Sequence, residues 1–245
     1  MTFSLPSLIT STAPLSPAAT ATSKTQVCPW VSALAYRLVP RFILPFQFAK
    51  VQITGQENLP RRGAVLLTPT HRSRWDALIV PYATGRWVTG RDLFFMVSAN
   101  EMEGFQGWWV KRLGGFPVNT KKPGRSSIQR GVELLRRQLM MVVFPEGDIF
   151  RDGAVHPLKA GPAHMALQAA QAEKMDVNLV PIVIHYSDPE VKRRCTVTVK
   201  IGKPLNTQDY DRTRTKQATQ ALTADLEAAL AGLNELGGNP IDRES

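Results

Sequence analysis

The spacing of apolar positions changes near residue 51. From there on, short apolar runs alternate with stretches in which apolar residues recur every three or four positions. VQIT (51–54), AVLLT (64–68), LFFMVSA (93–99), FPV (116–118), LMMVVF (139–144), NLVPIVIHY (178–186) and TVTVKIG (196–202) are short and rich in β-branched and aromatic residues, and turn residues bound them. They are predicted to be strands. The helical period covers 74–84, 102–112, 126–138 and 161–174, and an Ala/Leu-rich stretch over 211–234 stops before Gly237-Gly238. Strands alternating with helices predict an α/β layered fold with a largely parallel central sheet flanked by helices.

Before residue 51 the pattern differs. CPWVSALAYRLVPRFILPFQFAK (28–50) is apolar but interrupted by Arg37, Pro40, Arg41 and Pro45, short of the ~18 to 20 uninterrupted apolar residues of a spanning helix. Aromatics with scattered cations and no acid suit one or two helices lying in the headgroup plane of an anionic membrane. A helical hairpin packed on the core is the alternative. Residues 1–23 carry no charge and are rich in Ser, Thr, Pro and Ala. They lack the basic start and continuous apolar region of a secretory signal, and lack the arginines of a transit peptide. The expected organisation is a disordered tail (1–25), an interfacial helical segment (26–50), one α/β domain (51–236) and a flexible C-terminal tail (237–245).

Charge narrows the partners. The 245 residues carry a formal net charge of +10, which favours anionic lipid, phosphorylated substrates, an acidic carrier protein or nucleic acid. The first acidic residue is Glu57, and one stretch sets Lys111, Arg112, Lys121, Lys122, Arg125, Arg130, Arg136 and Arg137 against Glu133 alone. The two cysteines, Cys28 and Cys195, stand in unrelated contexts without Cys/His ligand spacing. Neither a zinc site nor a disulfide framework is suggested, and a reducing compartment fits.

In sheets of this kind, ligands bind beyond the carboxyl ends of the strands. Those ends read PTHRSRWD (69–76), NTKKPGR (119–125) and PEGDIFR (145–151). His71 and Asp76 are five apart, which in a regular helix separates side chains by roughly 140°. They meet only if His71 sits in the loop and Asp76 in the first helical turn, with Ser73 as N-cap. Ser73-Arg74-Trp75-Asp76 also matches a capping box, in which Asp76 serves only as a cap. As a pair, the imidazole is a general base for a hydroxyl, and the carboxylate fixes its tautomer and stabilises the imidazolium. No G-x-S-x-G elbow, G-x-G-x-x-G loop or Walker-type loop occurs, so acyl-serine hydrolases and the commonest nucleotide sites are disfavoured. Lys121, Lys122, Arg125 and Arg151 are candidate phosphate contacts. Glu146, before Gly147 at a tight turn, either orients one of these cations, accepts from substrate hydroxyls or forms a structural salt bridge. His156, His164 and His185 read as structural.

HRSRWD (71–76), LGGFPVNT (113–120), VFPEGDIFR (143–151) and LVPIVI (179–184) resemble, in order, the four motifs of the glycerolipid acyltransferases with the H-x4-D signature. The likeness is greatest to short bacterial and plastid 1-acylglycerol-3-phosphate acyltransferases. It implies an α/β domain docked on a membrane by an N-terminal helical pair, with the acyl chain in an apolar tunnel. The donor would be an acyl-carrier protein or coenzyme A thioester, the acceptor lysophosphatidate and the product phosphatidate. Two departures stand out. Thr120 occupies a position where the family usually has arginine, and Asp148-Ile149 replace the Thr-Arg that commonly follows Glu-Gly.

The expected activity is therefore O-acyl transfer in phospholipid biosynthesis on the cytoplasmic face of a membrane. His71 is the expected base and Asp76 its partner; Glu146, Gly147, Arg151, Lys121, Lys122 and Arg125 are expected at the acceptor. No metal or cofactor beyond the thioester co-substrate is expected, and no nucleic acid. Glycerol 3-phosphate or another lipid remains an alternative acceptor. A basic membrane-binding protein without catalysis is the alternative of a different class.

Overall fold

A computed structural model describes residues 27–98, 111–118 and 125–235 of the chain. The expected tails, most of the 102–112 helix, and Lys121 and Lys122 lie outside the described residues. Arg125 is described only in its backbone.

The sheet is built from β1 (Phe48–Thr54), β2 (Ala64–Pro69), β3 (Leu93–Ser98), β4 (Gly115–Val118), β5 (Met140–Val142), β6 (Val177–Tyr186), β7 (Cys195–Ile201) and the short β8 (Leu205–Asn206). Its order is β1-β7-β6-β2-β5-β3-β4, with β8 also on β6. Pairs are parallel except for β6 with β7 and β6 with β8, so the sheet is largely parallel, as the alternation predicts. β1 starts at Phe48, before the VQIT run, because its pairing with β7 reaches back to Phe48↔Cys195 across an irregularity.

Successive strand residues face opposite ways and build two cores. Leu66, Met141 and Leu179 pack under α5 (Arg125–Arg136), α6 (Gly161–Glu173) and α7 (Thr215–Glu235). Val65, Leu67, Met140, Val142 and Ile182 pack under α2 (Leu44–Gln47) and α3 (Asp76–Thr84). α7 buries Ala218, Leu222, Leu226 and Leu230, a stripe at every fourth residue. A proline in a central strand forfeits a ladder bond. Pro181 falls where β6 changes antiparallel partner, after β8 has paired Asn178 and Leu179 and before β7 begins at Ile182.

The N-terminal segment forms α1 (Pro29–Leu38), a π-helical turn (Val39–Ile43) and α2. Pro40 has no N–H to donate to the Tyr36 carbonyl, and that carbonyl instead accepts from Trp87 Nε1 at 3.0 Å. Trp87 belongs to α4 (Arg86–Thr89), so this bond ties α1 to the domain. Trp30, Leu34, Leu38, Phe42 and Phe46, at every fourth position, are all exposed, as is Trp87; Trp30, Phe42, Phe46 and Trp87 reach 63, 61, 63 and 65%. Val31, Leu44 and Phe48 are buried, so the segment both packs on the core and presents an apolar ridge. Among the described residues no helix is long and apolar enough to cross a membrane.

Candidate functional site

β2 delivers His71 to the carboxyl edge of the sheet. Thr70 extends the β2–β6 pairing by donating its N–H to Ile182 at 2.9 Å, and its hydroxyl accepts from Ile184 N at 3.0 Å. The chain then breaks into a turn before α3. Ser73 does not cap α3, whose N-cap is Trp75. It shapes the preceding turn, where Asp76 N–H donates to its carbonyl at 3.1 Å and Trp75 N–H to its hydroxyl at 3.3 Å.

Asp76 is fully buried at the start of α3. Its Oδ2 accepts from Arg72 N–H at 2.7 Å and Ser73 N–H at 2.9 Å, and His71 Nδ1 lies 2.9 Å away. One oxygen thus holds both the imidazole and the loop backbone before α3, and the capping box weighed from the sequence does not form. An ionised carboxylate only accepts, so Nδ1 carries the hydrogen and Nε2 keeps its lone pair. Nε2 has no hydrogen-bond partner among the described residues. The ring stacks on Phe144, with centroids 3.9 Å apart and planes 19° from parallel.

The third motif folds beneath this loop. Gly147 adopts φ +78°, a conformation that favours glycine, and a Cβ there would displace the end of the Lys159 side chain. Of the roles weighed for Glu146, the salt bridge is the one the structure shows, with Arg72 as its partner. Glu146 is buried and accepts from His71 N–H at 2.7 Å, from His156 N–H at 3.0 Å and from Arg72 Nη1 at 3.0 and 3.1 Å. Arg72 also donates to the Ala154 carbonyl at 2.7 Å. Phe150 N–H donates to the His71 carbonyl at 2.9 Å, completing a loop-to-loop clasp around the histidine.

A cavity of about 600 Å³ opens at His71, Phe144 and Gly147 and reaches Tyr36, Leu93, Ile128 and Met165. Its lining comes from both cores, because β5 stops at Val142 while its neighbours β2 and β3 run on to Pro69 and Ser98. The sheet is notched at that point, and the Pro145-Glu146-Gly147 turn leaves from the notch. Arg74 and Lys159 line the cavity with His71, whereas Arg151 does not. Arg151 borders a separate cleft of about 90 Å³ with Arg72, Asp152, His185 and Tyr186.

Sequence reasoning therefore brought His71, Asp76, Glu146 and Gly147 to one place and overlooked Arg72, Arg74, Lys159 and Tyr186. Tyr186 donates its hydroxyl to Asp76 Oδ1 at 2.6 Å. Strand alternation carried no signal for it, because β6 is buried along nearly its whole length on both faces. Burial, then the Asp76 charge, push the Tyr186 phenol far above its usual range. Partial desolvation of its ring, then the charges of Lys200 and Arg72, push His185 down, although the residue keeps contact with solvent.

The sequence profile of the acyltransferase family matches residues 50–185. A 1-acyl-sn-glycerol-3-phosphate acyltransferase of Bacillus subtilis (strain 168) is 28% identical over 182 residues, covering 72% of this chain and 84% of that protein. A protein of the same name from Streptococcus pneumoniae (strain ATCC BAA-255 / R6) is 24% identical over 150 residues, and the chain spans 51% of its length. In fold, the chain matches the crystal structure of the 1-acyl-sn-glycerophosphate (LPA) acyltransferase PlsC from Thermotoga maritima. The TM-score is 0.63 at 17% identity, over 86% of this chain and 80% of that one.

Proposed function

The chain belongs to the acyltransferase family, and from that premise we propose that it moves a fatty acyl group from a thioester to the free hydroxyl of 1-acyl-sn-glycerol 3-phosphate, giving phosphatidate and a thiol. The observation that carries this reading is His71 itself. Its Nδ1 is held at 2.9 Å by a buried carboxylate, and its ring lines the mouth of an apolar cavity of about 600 Å³, within the size range of small-molecule sites. The names of the bacterial relatives support the acceptor.

In this mechanism Nε2 of His71 takes the proton of the acceptor hydroxyl as its oxygen attacks the thioester carbonyl. Asp76 stabilises the imidazolium through Nδ1–H. The tetrahedral intermediate collapses with cleavage of the C–S bond, and the departing thiolate receives the proton from Nε2. The cavity takes the acyl chain. Lys159 and Arg74 meet the acceptor's phosphate, together with Lys121, Lys122 and Arg125 from the segment after β4. The net charge of +10 suits an acyl-carrier protein or a coenzyme A thioester as donor, both being anionic. The exposed ridge of α1–α2, with Trp87, rests on the cytoplasmic face of an anionic membrane.

The test uses purified protein, labelled acyl thioesters of both carriers in direct competition, and acceptors with and without phosphate. His71→Ala is expected to lose ~10²–10⁴-fold in rate while remaining folded. Asp76→Asn is expected to be severe because a neutral amide cannot stabilise the imidazolium. Near-normal turnover by folded His71→Ala would overturn the mechanism and leave a basic membrane-binding protein as the better account.

A further inference from the structure

Asp76 is held more tightly than the partner of one imidazole needs to be. Three donors, His71 Nδ1, Arg72 N–H and Ser73 N–H, converge on Oδ2. Among the described residues Oδ1 has a single partner, the Tyr186 hydroxyl at 2.6 Å. Tyr186 ends β6, and its ring packs beside Phe48 with centroids 6.0 Å apart. The contact spans 110 residues of sequence and is buried at both ends.

We infer that Tyr186 is a positioning residue for acyl transfer: its hydroxyl pins Oδ1 of Asp76 so that Oδ2 stays on His71, and it tempers the basicity of that carboxylate. The inference rests on the general-base reading of His71. A carboxylate torsion is broad, and donors on Oδ2 alone leave the plane free to turn about that oxygen. Oδ1 has no solvent to turn to, so loss of its donor leaves a buried acceptor unsatisfied. Burial and the adjacent charge keep the phenol protonated, so it remains a donor across the working pH range. A short O–H···O⁻ bond draws charge toward Oδ1. Without it, charge concentrates on Oδ2 and holds the imidazolium more strongly, so His71 becomes available as a base only at higher pH.

The other charged and titratable groups nearby are Arg72 with Glu146, the Cys195 thiol of β7, and Arg151, Asp152 and His185 around the small cleft. Tyr186→Phe alters none of them and retains the ring.

The experiment measures kcat and KM against pH for wild type, Tyr186→Phe and a protein carrying 3-fluorotyrosine at position 186, a stronger donor of nearly the same size. Tyr186→Phe is expected to lose on the order of tenfold in kcat with little change in KM for the acceptor. Its acid limb is expected to move to higher pH by about half a unit or more, and that of the fluorotyrosine protein to lower pH. Acid limbs that stay at the wild-type position in both would overturn the inference. So would wild-type kcat in Tyr186→Phe. His71→Ala runs alongside: activity there defeats the general-base reading itself, whereas an inactive His71→Ala with unmoved limbs defeats only the role of Tyr186. If Tyr186→Phe does not fold, the fluorotyrosine protein, which keeps the hydroxyl, decides the matter by its limb alone.

Discussion

The guanidinium of Arg72 lies 3.0 and 3.1 Å from the two carboxylate oxygens of Glu146, with 5 and 0% of their side chains exposed. The pair bridges the loop after β2 to the turn after β5, and the same carboxylate accepts the His71 N–H. Glu146 thus holds the histidine's backbone in place. Removing one partner of a buried ion pair strands the other charge. Glu146→Ala should therefore destabilise the protein by about 3–5 kcal/mol, read as a shifted denaturant midpoint, with kcat falling as the His71 loop loosens. Unchanged stability with a raised acceptor KM would return Glu146 to the acceptor-binding role.

The cations around the site divide by wall. Lys159 and Arg74 line the cavity that contains His71, and Arg151 faces the cleft beyond Arg72. Lys159→Ala and Lys121→Ala/Lys122→Ala are each expected to raise KM for a phosphorylated acceptor by roughly ten- to a hundredfold, the loss of one charge-assisted hydrogen bond. Arg151→Ala should change it little. The ratio of kcat/KM for lysophosphatidate over neutral monoacylglycerol is the readout. If that ratio falls in Arg151→Ala but not in Lys159→Ala, the phosphate approaches from the other side of Arg72.

Exposed aromatics allow the membrane contact to be tested without cutting the chain. Deleting residues 1–50 would also remove the buried Val31, Leu44 and Phe48, which confounds docking with folding. Trp30→Ser/Phe42→Ser changes two exposed side chains and spares Trp87, whose indole bond ties α1 to the domain. Each aromatic buried in a membrane contributes about 1.5 kcal/mol or more, so binding to anionic vesicles should weaken at least about a hundredfold at nearly unchanged Tm. Vesicle sedimentation equal to wild type would remove α1 and the π-helical turn from the interface.

The loop between Glu146 and α6 has its own latch, in which His156 Nε2 lies 2.8 Å from Asp152 and its ring stacks on Phe150 at 3.7 Å. The Ala154 N–H, then His156, hold the Asp152 carboxyl below its usual range. A depressed carboxylate contributes stability above its unfolded pKa, ~3.9, and that contribution is lost as pH falls through the lower folded value. Asp152→Asn should accordingly melt below wild type at pH ~7, and the difference should close as pH falls below ~4. A difference that persists at low pH would mean that the carboxylate charge is not what closes the loop.

The alternation of strands and helices, the split of β2 and β5 into two faces, and the meeting of His71 with Asp76 were all legible locally. Each depends on residues a few positions apart, and backbone periodicity dictates which way such residues point. What the sequence could not disclose was contact between segments far apart in the chain. Tyr186 reaches Asp76 because β6 lies beside β2, an adjacency set by strand order, and periodicity carries no information about strand order. Arg72 and Arg151 look alike in a row of basic residues. One is buried on Glu146 and the other exposed, because the turn after β5 brings a carboxylate up to the first alone. The cavity depends on β5 stopping short of its neighbours, and so it exists only once three strands are laid side by side.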